Sequence, residues 1–510
     1  MQDAMIPVMR RLPNALYLGT EVRELDRIAI EEFNIPGATL MTNAGMAAFA
    51  MMREHWPRAR KLVVVVGTGN NGGDGFVLAR LAHEASYNVK VIQVGDPAKI
   101  KGDALTMAEQ WVAAGGVTEA FSSGLDLGGA EVVVDALLGI GLNDEVKGDW
   151  AEAICAINDS HAKILALDVP SGLDADCGLK LGYAVNAHMT MSFIGLKRGL
   201  FTGAGPRHAG HIEYADLRIP PQVLMRVQPS CSRMSLSALA HLLAPRLGDI
   251  HKGKCGHVLV VGGDTGMSGA VRLAAEAAAR VGAGLVSVAT RPEHAVAISS
   301  TRPELMCHGV ETAIQLRPLL KKATVVVIGP GLGQTKWATS LLGEVLDHDL
   351  PMVIDADALN LLVKEPHQRD NWILTPHPGE AARLLSVETK AIQANRFAAV
   401  RNLQRMYGGV AVLKGAGTLV SATDMPLGLC AEGNPGMASG GMGDVLTGVI
   451  AGLLAQRRNP RKALPLAARL GVCVHARAGD QAAKEGGERG LLASDLMPML
   501  QEIVNPVQFG

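Results

Sequence analysis

Aromatic side chains are scarce in this chain: Phe, Tyr and Trp number 8, 5 and 5 among 510 residues. Binding single-stranded nucleic acid by base stacking needs such rings, so that class of partner is excluded. An excess of positive charge is missing as well, with 48 Lys+Arg against 49 Asp+Glu, and without it a polyanion has little to hold it. No apolar run reaches the ~20 residues of a bilayer span; the longest, such as 445–455, stop well short. The N-terminus carries Asp3, Arg10 and Arg11 with no apolar block between them, unlike a secretion signal. The seven cysteines are an odd count, lie at least 22 residues apart and form no C-x-x-C. That excludes a disulfide scaffold and a cysteine-rich zinc site, and the expected compartment is the reducing cytoplasm.

What the chain has in abundance is glycine, 59 residues, and apolar residues at 48% against 19% charged. That is material for tight turns and buried cores, not for disorder. Short β-branched runs alternate with alanine-rich stretches, the pattern of parallel sheets covered on both faces. Strands are expected at 61–66, 89–94, 131–134 and 163–167, then at 257–261, 285–289, 324–328, 352–354, 372–374 and 410–413. Ile219-Pro220-Pro221 and then Gln228-Pro229-Ser230 can continue neither a helix nor a central strand. Two doubly wound α/β domains are therefore expected, at residues 10–222 and 228–507.

In the first, Gly67-Thr68-Gly69-Asn70-Asn71-Gly72 satisfies G-x-G-x-x-G between a strand and a helix, a phosphate site built from backbone N–H groups. A glycine turn that only lets helix and strand pack closely would read the same. Asn70, Asn71 and Asp74 make this turn more polar than a nicotinamide dehydrogenase requires. Later strands end in Asp135 and in Asp168, the latter followed by Val169-Pro170-Ser171. Carboxyl ends of parallel strands line one crevice, so Asn71, Asp135, Asp168 and Ser171 can converge there. Oxygen donors of these kinds suit a hard cation, although a lone Asp after a strand more often caps a neighbouring N–H.

GTGNNGGDG, VVVDALLGIGL and LDVPSGLD, in this order, resemble the epimerase domain of the bifunctional NAD(P)H-hydrate repair enzymes. The resemblance implies a Rossmann-like three-layer α/β/α domain. It implies that Asn70, Asn71, Gly72, Gly73 and Asp74 contact the hydrated nucleotide, as do Gly139, Ile140, Gly141, Leu142, Asn143, Asp144 and Glu145. A potassium ion would lie at Asn71, Asp135 and Ser171, and Asp168 would face the reacting ring carbon as the catalytic group. Ile140 stands where that family's pattern has a hydroxyl residue.

In the second half, glycine-rich or polar turns follow five strands, and Gly433–Ala455 reads GNPGMASGGMGDVLTGVIAGLLA. Helical spacing from Val445 onward puts Gly440 to Asp444 at a helix start, where amides hold an anion. Asp444 there is placed to accept a proton from a hydroxyl nucleophile, or is simply a cap. HKGKCGHVLVVGG, GPGLG, LTPHPGE, KGAGT and the long glycine run resemble the ADP-dependent NAD(P)H-hydrate dehydratases, a ribokinase-like α/β fold. The resemblance implies that Ala270, Gly331, His377 and Asp444 bind the hydrate, with Asp444 catalytic. Lys414, Gly415, Ala416, Gly417, Thr418 and Gly443 would bind the adenine nucleotide, and Glu380 would help hold magnesium.

The implied activity is repair of NADH hydrate and NADPH hydrate. One domain would epimerise the R and S forms, and the other would dehydrate the S form with ADP, giving AMP and phosphate. Assembly into a homo-oligomer is expected, with no nucleic-acid or membrane partner. Two alternatives stay open: a nicotinamide-dependent dehydrogenase fused to a ribokinase-like small-molecule kinase, and a catalytically silent nucleotide-binding regulator. His208 and His211 are expected on an exposed turn, and Cys255 and Cys473 as buried apolar residues.

Overall fold

The computed structural model describes residues 12–125, 127, 129–246 and 248–505, and the chain divides into two compact units between Ser232 and Arg233. The expected outer domain limits, residues 10 and 507, lie outside the described residues.

In the first unit, seven parallel strands stand in the order Thr118–Ala120, Asn88–Gln93, Lys61–Val66, Val132–Ala136, Lys163–Leu167, Met189–Phe193, His211–Ala215. Counted along the chain this is 3-2-1-4-5-6-7, and the direction reverses between Lys61–Val66 and Val132–Ala136. The physical cause of the layering is the two-residue period of a strand. Leu62, Val64 and Val66 pack with Phe76 and Leu78 of the helix Asn70–Glu84. Val63 and Val65 turn the other way, onto Ile154 and Ile157 of the helix Asp149–Asp159. Each fully buried side chain of this size contributes about 1.5–3 kcal/mol, so a sheet covered on both faces needs apolar residues at every position. That is why KLVVVV does not alternate.

The second unit repeats the plan. Met306–Gly309, Leu285–Thr290, His257–Val261, Val325–Ile328, Met352–Ile354, Trp372–Leu374 and Val410–Leu413 run parallel in the same 3-2-1-4-5-6-7 order. Thr418–Ala422 and Gly428–Cys430 then extend the edge antiparallel. The helix Met442–Ala455 lies against Ser268–Arg280 so closely that a side chain at Gly448 would strike the Ala274 carbonyl at 2.0 Å.

All ten expected strands are present within one or two residues. Others were hidden by their chemistry. Met189–Phe193 buries Thr190 and Ser192, and a Thr190 hydroxyl donating to the Ala209 carbonyl (2.7 Å) removes the cost that would otherwise exclude it. Two local expectations are corrected. Asn70 to Asp74 are the opening of the helix Asn70–Glu84, not a loop, because Gly69 already serves as its N-cap. His208 is not on an exposed turn: it is buried on Gly205–Ala209, with Nδ1 3.0 Å from the Val185 carbonyl, and burial lowers its pKa. Among the described residues no helix is long and apolar enough to cross a membrane.

Candidate active sites at the two switch points

The reversal of strand order in the first unit opens a cleft of about 620 Å³ beyond the strand ends, the size range of small-molecule sites. Asp135 and Ser171 meet behind it. Ser171 donates its hydroxyl to Asp135 Oδ1 (2.5 Å) and its N–H to Oδ2 (2.8 Å), while Leu138 N–H donates to Ser171 Oγ (2.8 Å). Asn71 Nδ2 donates to the Leu138 carbonyl (3.1 Å), and its own Oδ1 is buried with no hydrogen-bond partner. Burial pushes the Asp135 carboxyl up to about 6, against the Ser171 hydrogen bonds that favour its charge.

Asp168 follows directly on Lys163–Leu167 with a positive φ of 65°, a conformation costly for a residue with a side chain. It accepts from Phe193 N–H (3.2 Å) and is ion-paired with Lys197, whose side chain is fully buried. Lys197 Nζ also donates to the Phe193 carbonyl (2.8 Å). An ammonium so deep would cost several kcal/mol unpaired, so Asp168 and Lys197 hold one another. A side chain at Gly139 would sit 3.5 Å from Asn71 Cβ and 3.9 Å from Asp168 Oδ2, which puts both at one spot. Two further carboxyls face the pair. Burial pushes Asp26 up to about 6 against the pull of Lys197. Burial, then the charges of Asp168 and Asp26, hold Asp74 well above the usual carboxylate range.

In the second unit the polar groups gather around Lys414, at the end of Val410–Leu413. Its Nζ is 2.7 Å from Asp355 Oδ1 and 3.9 Å from Glu380 Oε2; Asp355 Oδ2 accepts from the Thr447 hydroxyl (2.8 Å). The helix Met442–Ala455 opens on Gly441 at φ 88° and brings Gly443 so near that an added Cβ would be 3.3 Å from Lys414 Nζ. Burial, with Asp355 the largest neighbouring charge, pushes the Asp444 carboxyl up to about 7 although Lys414 pulls it down. His377 caps Pro378–Leu384, its Nδ1 accepting from Gly379 N–H (3.0 Å), and its own N–H donates to Glu380 Oε2 (2.8 Å). Burial, then Lys414, lowers the His377 pKa, and burial raises that of Glu380. Ala270 and Gly331 lie side by side: a Cβ on Gly331 would be 3.2 Å from that of Ala270.

Comparison with known proteins agrees with this division. Residues 37–199 match the family described as YjeF-related protein N-terminus, and residues 258–502 match NAD(P)H-hydrate dehydratase. The bifunctional NAD(P)H-hydrate repair enzyme Nnr of Coxiella burnetii is 51% identical, over 96% of this chain and 99% of its own. The chain belongs to the bifunctional NAD(P)H-hydrate repair enzymes. The Escherichia coli member is 42% identical over 97% of this chain and 95% of its own. A solved Bacillus subtilis ADP/ATP-dependent NAD(P)H-hydrate dehydratase, co-crystallised with ATP and Mg2+, is 29% identical over 53% of this chain and 96% of that one, with a TM-score of 0.46.

For a member of this family, the residues named from sequence distribute unevenly. Asn70, Asn71, Asp74, Asp168 and the run from Gly139 to Asp144 line the first cleft. Gly72 and Gly73 do not; they are buried behind it, where a Cβ on Gly72 would strike the Gly67 carbonyl at 2.3 Å. Glu145 is exposed and ion-paired with Lys147 at 3.1 Å. In the second unit Asp444, Gly443, His377 and Lys414 share one cluster, and Gly415 and Ala416 are exposed beyond it. Sequence reasoning gave no role to Lys197, Asp26 or Asp355, although Asp355 stands in one of the five polar turns that follow strands. The signals were there: a lysine inside the apolar run SFIGLKRGLF, and an aspartate ending a strand just as Asp135 does. Among the described residues no three His, Cys, Asp or Glu form a metal cluster. Asn71, Asp135 and Ser171 offer neutral and anionic oxygens with one orphaned amide oxygen, a donor set that fits a hard cation.

Proposed function

We propose that the first unit interconverts the R and S forms of NADH hydrate and NADPH hydrate, and that the second dehydrates the S form with ADP. The reacting epimeric carbon carries a hydroxyl and adjoins the ring nitrogen. Inversion needs a proton delivered to the departing group and taken up again on return. Asp168, fixed by Lys197, is the group we assign to that exchange, with Asp26 and Asp74 as the neighbouring carboxyls able to hold a proton near neutral pH. Potassium would be held by Asn71, Asp135 and Ser171 and would supply fixed positive charge at the cleft. Purified single-epimer hydrate followed by chromatography tests the assignment; wild-type epimerisation by Asp168→Asn would overturn it.

For the second unit, hydroxide is a poor leaving group and phosphate a good one. Asp444 takes the proton of the hydrate hydroxyl, and the oxygen attacks the terminal phosphoryl of ADP, releasing AMP. Phosphate then leaves with its bonding pair as a proton departs the adjacent ring carbon, and the ring double bond returns. Gly443 and its neighbours at the helix start offer N–H groups to the charge that develops. Lys414 sits beside them, and Gly415, Ala416, Gly417 and Thr418 cradle the nucleotide. Glu380 is the carboxylate we assign to help hold magnesium on those phosphates. The observation that carries this reading is the placement of Asp444 in the first helical turn, next to Gly443 and Lys414. Labelled hydrate and ADP should give AMP, phosphate and NAD(P)H in equal amounts; turnover without AMP would refute it. We place the reaction in the cytoplasm, in keeping with seven free cysteines, and expect a homo-oligomer by light scattering.

A further inference from the structure

Three neighbouring strands of the second unit bring their carboxyl ends together around Arg291. Leu285–Thr290 ends directly in Arg291, His257–Val261 leads through Gly262 and Gly263 to Asp264, and Val325–Ile328 leads into the turn Gly329 to Gly333. Asp264 is buried and ties the three together. Its Oδ1 accepts from Arg291 Nε (2.8 Å) and from Thr265 N–H (2.9 Å), and its Oδ2 accepts from the Thr335 hydroxyl (3.0 Å). Its own N–H donates to the Gly331 carbonyl (2.6 Å).

The guanidinium of Arg291 is held in place without being filled. Its carbon stands 4.2 Å from the centre of the Trp337 ring, and that ring is buried and fixed by Nε1–H donating to the Val310 carbonyl (2.9 Å). A cation over an indole face is attracted by the ring, and a planar guanidinium stacked there keeps its orientation. With one face covered and Nε committed to Asp264, the two Nη groups remain. Neither makes a hydrogen bond among the described residues, and the side chain is 25% exposed. The nearby Glu293 takes the Thr265 hydroxyl (3.3 Å) and makes no ion pair with Arg291.

An arginine anchored at Nε with both Nη groups open is a fork set for two oxygens of one anion, and phosphate matches that geometry. The turn Gly329 to Gly333 says which phosphate. On one side of it, a Cβ added to Gly333 would be 2.9 Å from Asp264 Oδ2. On the other, one added to Gly329 would strike the carbonyl of Asp355, the partner of Lys414. Between them Gly331 lies against Ala270, and these are the residues named for the hydrate. We propose that Arg291 is a specificity-determining residue of the dehydratase, whose two Nη groups grip a phosphate of the hydrated nucleotide that takes no part in the reaction. The hydrates offer two such groups: the pyrophosphate that both carry, and the extra ribose phosphate of NADPH hydrate.

The inference rests on the dehydratase reading and names how its substrate is recognised. It is tested on the purified S form of each hydrate, with saturating ADP and Mg2+, using the full chain carrying Arg291→Leu or Arg291→Gln. The glutamine amide can still donate to Asp264, but it presents neither charge nor fork. Both variants should raise KM for the hydrate about tenfold or more, the worth of one lost charge-assisted pair. Their kcat should stay within about twofold of wild type, because a contact made alike before and during the reaction acts on KM alone. KM for ADP should not move. A rise for NADPH hydrate alone marks the extra ribose phosphate as the group held, and an equal rise for both hydrates marks the pyrophosphate. Wild-type KM in both variants would overturn the proposal, as would a change confined to ADP. So would a rise in Arg291→Leu that Arg291→Gln lacks, since Arg291 would then serve only to satisfy Asp264. A wild type that forms no AMP from ADP fails the dehydratase reading itself, a different result from normal turnover with two indifferent variants.

Discussion

The two units share a strand order and each sets one lysine among carboxylates at its strand ends, fully buried in the first and partly buried in the second, yet the lysine takes a different partner in each. In the first, Lys197 is paired with Asp168, the residue assigned to the chemistry, and the unpaired carboxyls Asp26 and Asp74 are the ones pushed up. In the second, Lys414 is paired with Asp355, a residue anchored from behind by Thr447, and the assigned base Asp444 is left to rise to about 7. An epimerase must give and take a proton at one carbon and gains from a carboxyl locked in place. A base that removes a hydroxyl proton gains from a pKa near the working pH. On the proposed roles, the same inventory, one lysine and several aspartates, would yield two kinds of proton chemistry through the choice of which aspartate the lysine holds.

Removing the assigned base breaks the comparison most sharply. Asp444→Asn should lower the ADP-driven dehydration rate by about 10²–10⁴-fold, the usual worth of a positioned base. Epimerisation by the same preparation should be untouched; a parallel loss of both activities would show a collapse of the fold instead. Stability should respond to the same substitution with opposite sign in the two units. The folded-state pKa of Asp444 lies above its unfolded value, so the folded chain binds more protons between about pH 4 and 7, and its contribution to stability is lost as pH rises through 7. Asp444→Asn should therefore stabilise the second unit at pH 8 by on the order of 1–3 kcal/mol. Asp168→Asn leaves Lys197 buried and unpaired and should destabilise the first by about 3–5 kcal/mol. Calorimetry of the two variants checks both signs, and a stability loss in Asp444→Asn would contradict the account of its environment.

How much of this was legible beforehand follows from the physics of each signal. Parallel strands such as Lys61–Val66 and His257–Val261 are apolar at nearly every position because both faces are covered, so they stand out in the sequence. The turns after them are legible for the same reason: Asn71, Asp135, Asp168 and Ser171 are polar residues at the ends of apolar runs, and three of them touch one another or the same Leu138 backbone. Asp26 was not legible, since it ends no strand and its role arises through space alone, and Lys197 showed only as a charge inside an apolar run whose partner lies 29 residues away. Met189–Phe193 was hidden by the two hydroxyl residues it buries.

The pairing in the second unit can be sharpened by pH. Because Asp444 must be ionised to act, dehydration should rise with pH through about 7 and level off above it. Lys414 is the charge that holds this carboxyl down, so Lys414→Met at saturating ADP should move the limb to higher pH, and a limb left in place would mean that another group sets it.

The smallest effect concerns the cation. Asn71 is bound on one side, through Nδ2 to the Leu138 carbonyl, and free on the other, where Oδ1 is buried without a partner. A buried amide oxygen left unsatisfied costs about 1–3 kcal/mol, a cost that an ion bound there would offset. Asn71→Ala should raise the potassium concentration needed for half-maximal epimerisation about tenfold, the usual penalty for losing one ligand or its support. Dehydration by the second unit, whose lysine and carboxylates involve no residue of that set, should show no change in its potassium dependence. If instead epimerisation by wild type were the same in potassium and in tetramethylammonium salts, the orphaned oxygen would have to be answered by the substrate itself, and Asn71 would move from the cation's shell to the nucleotide's.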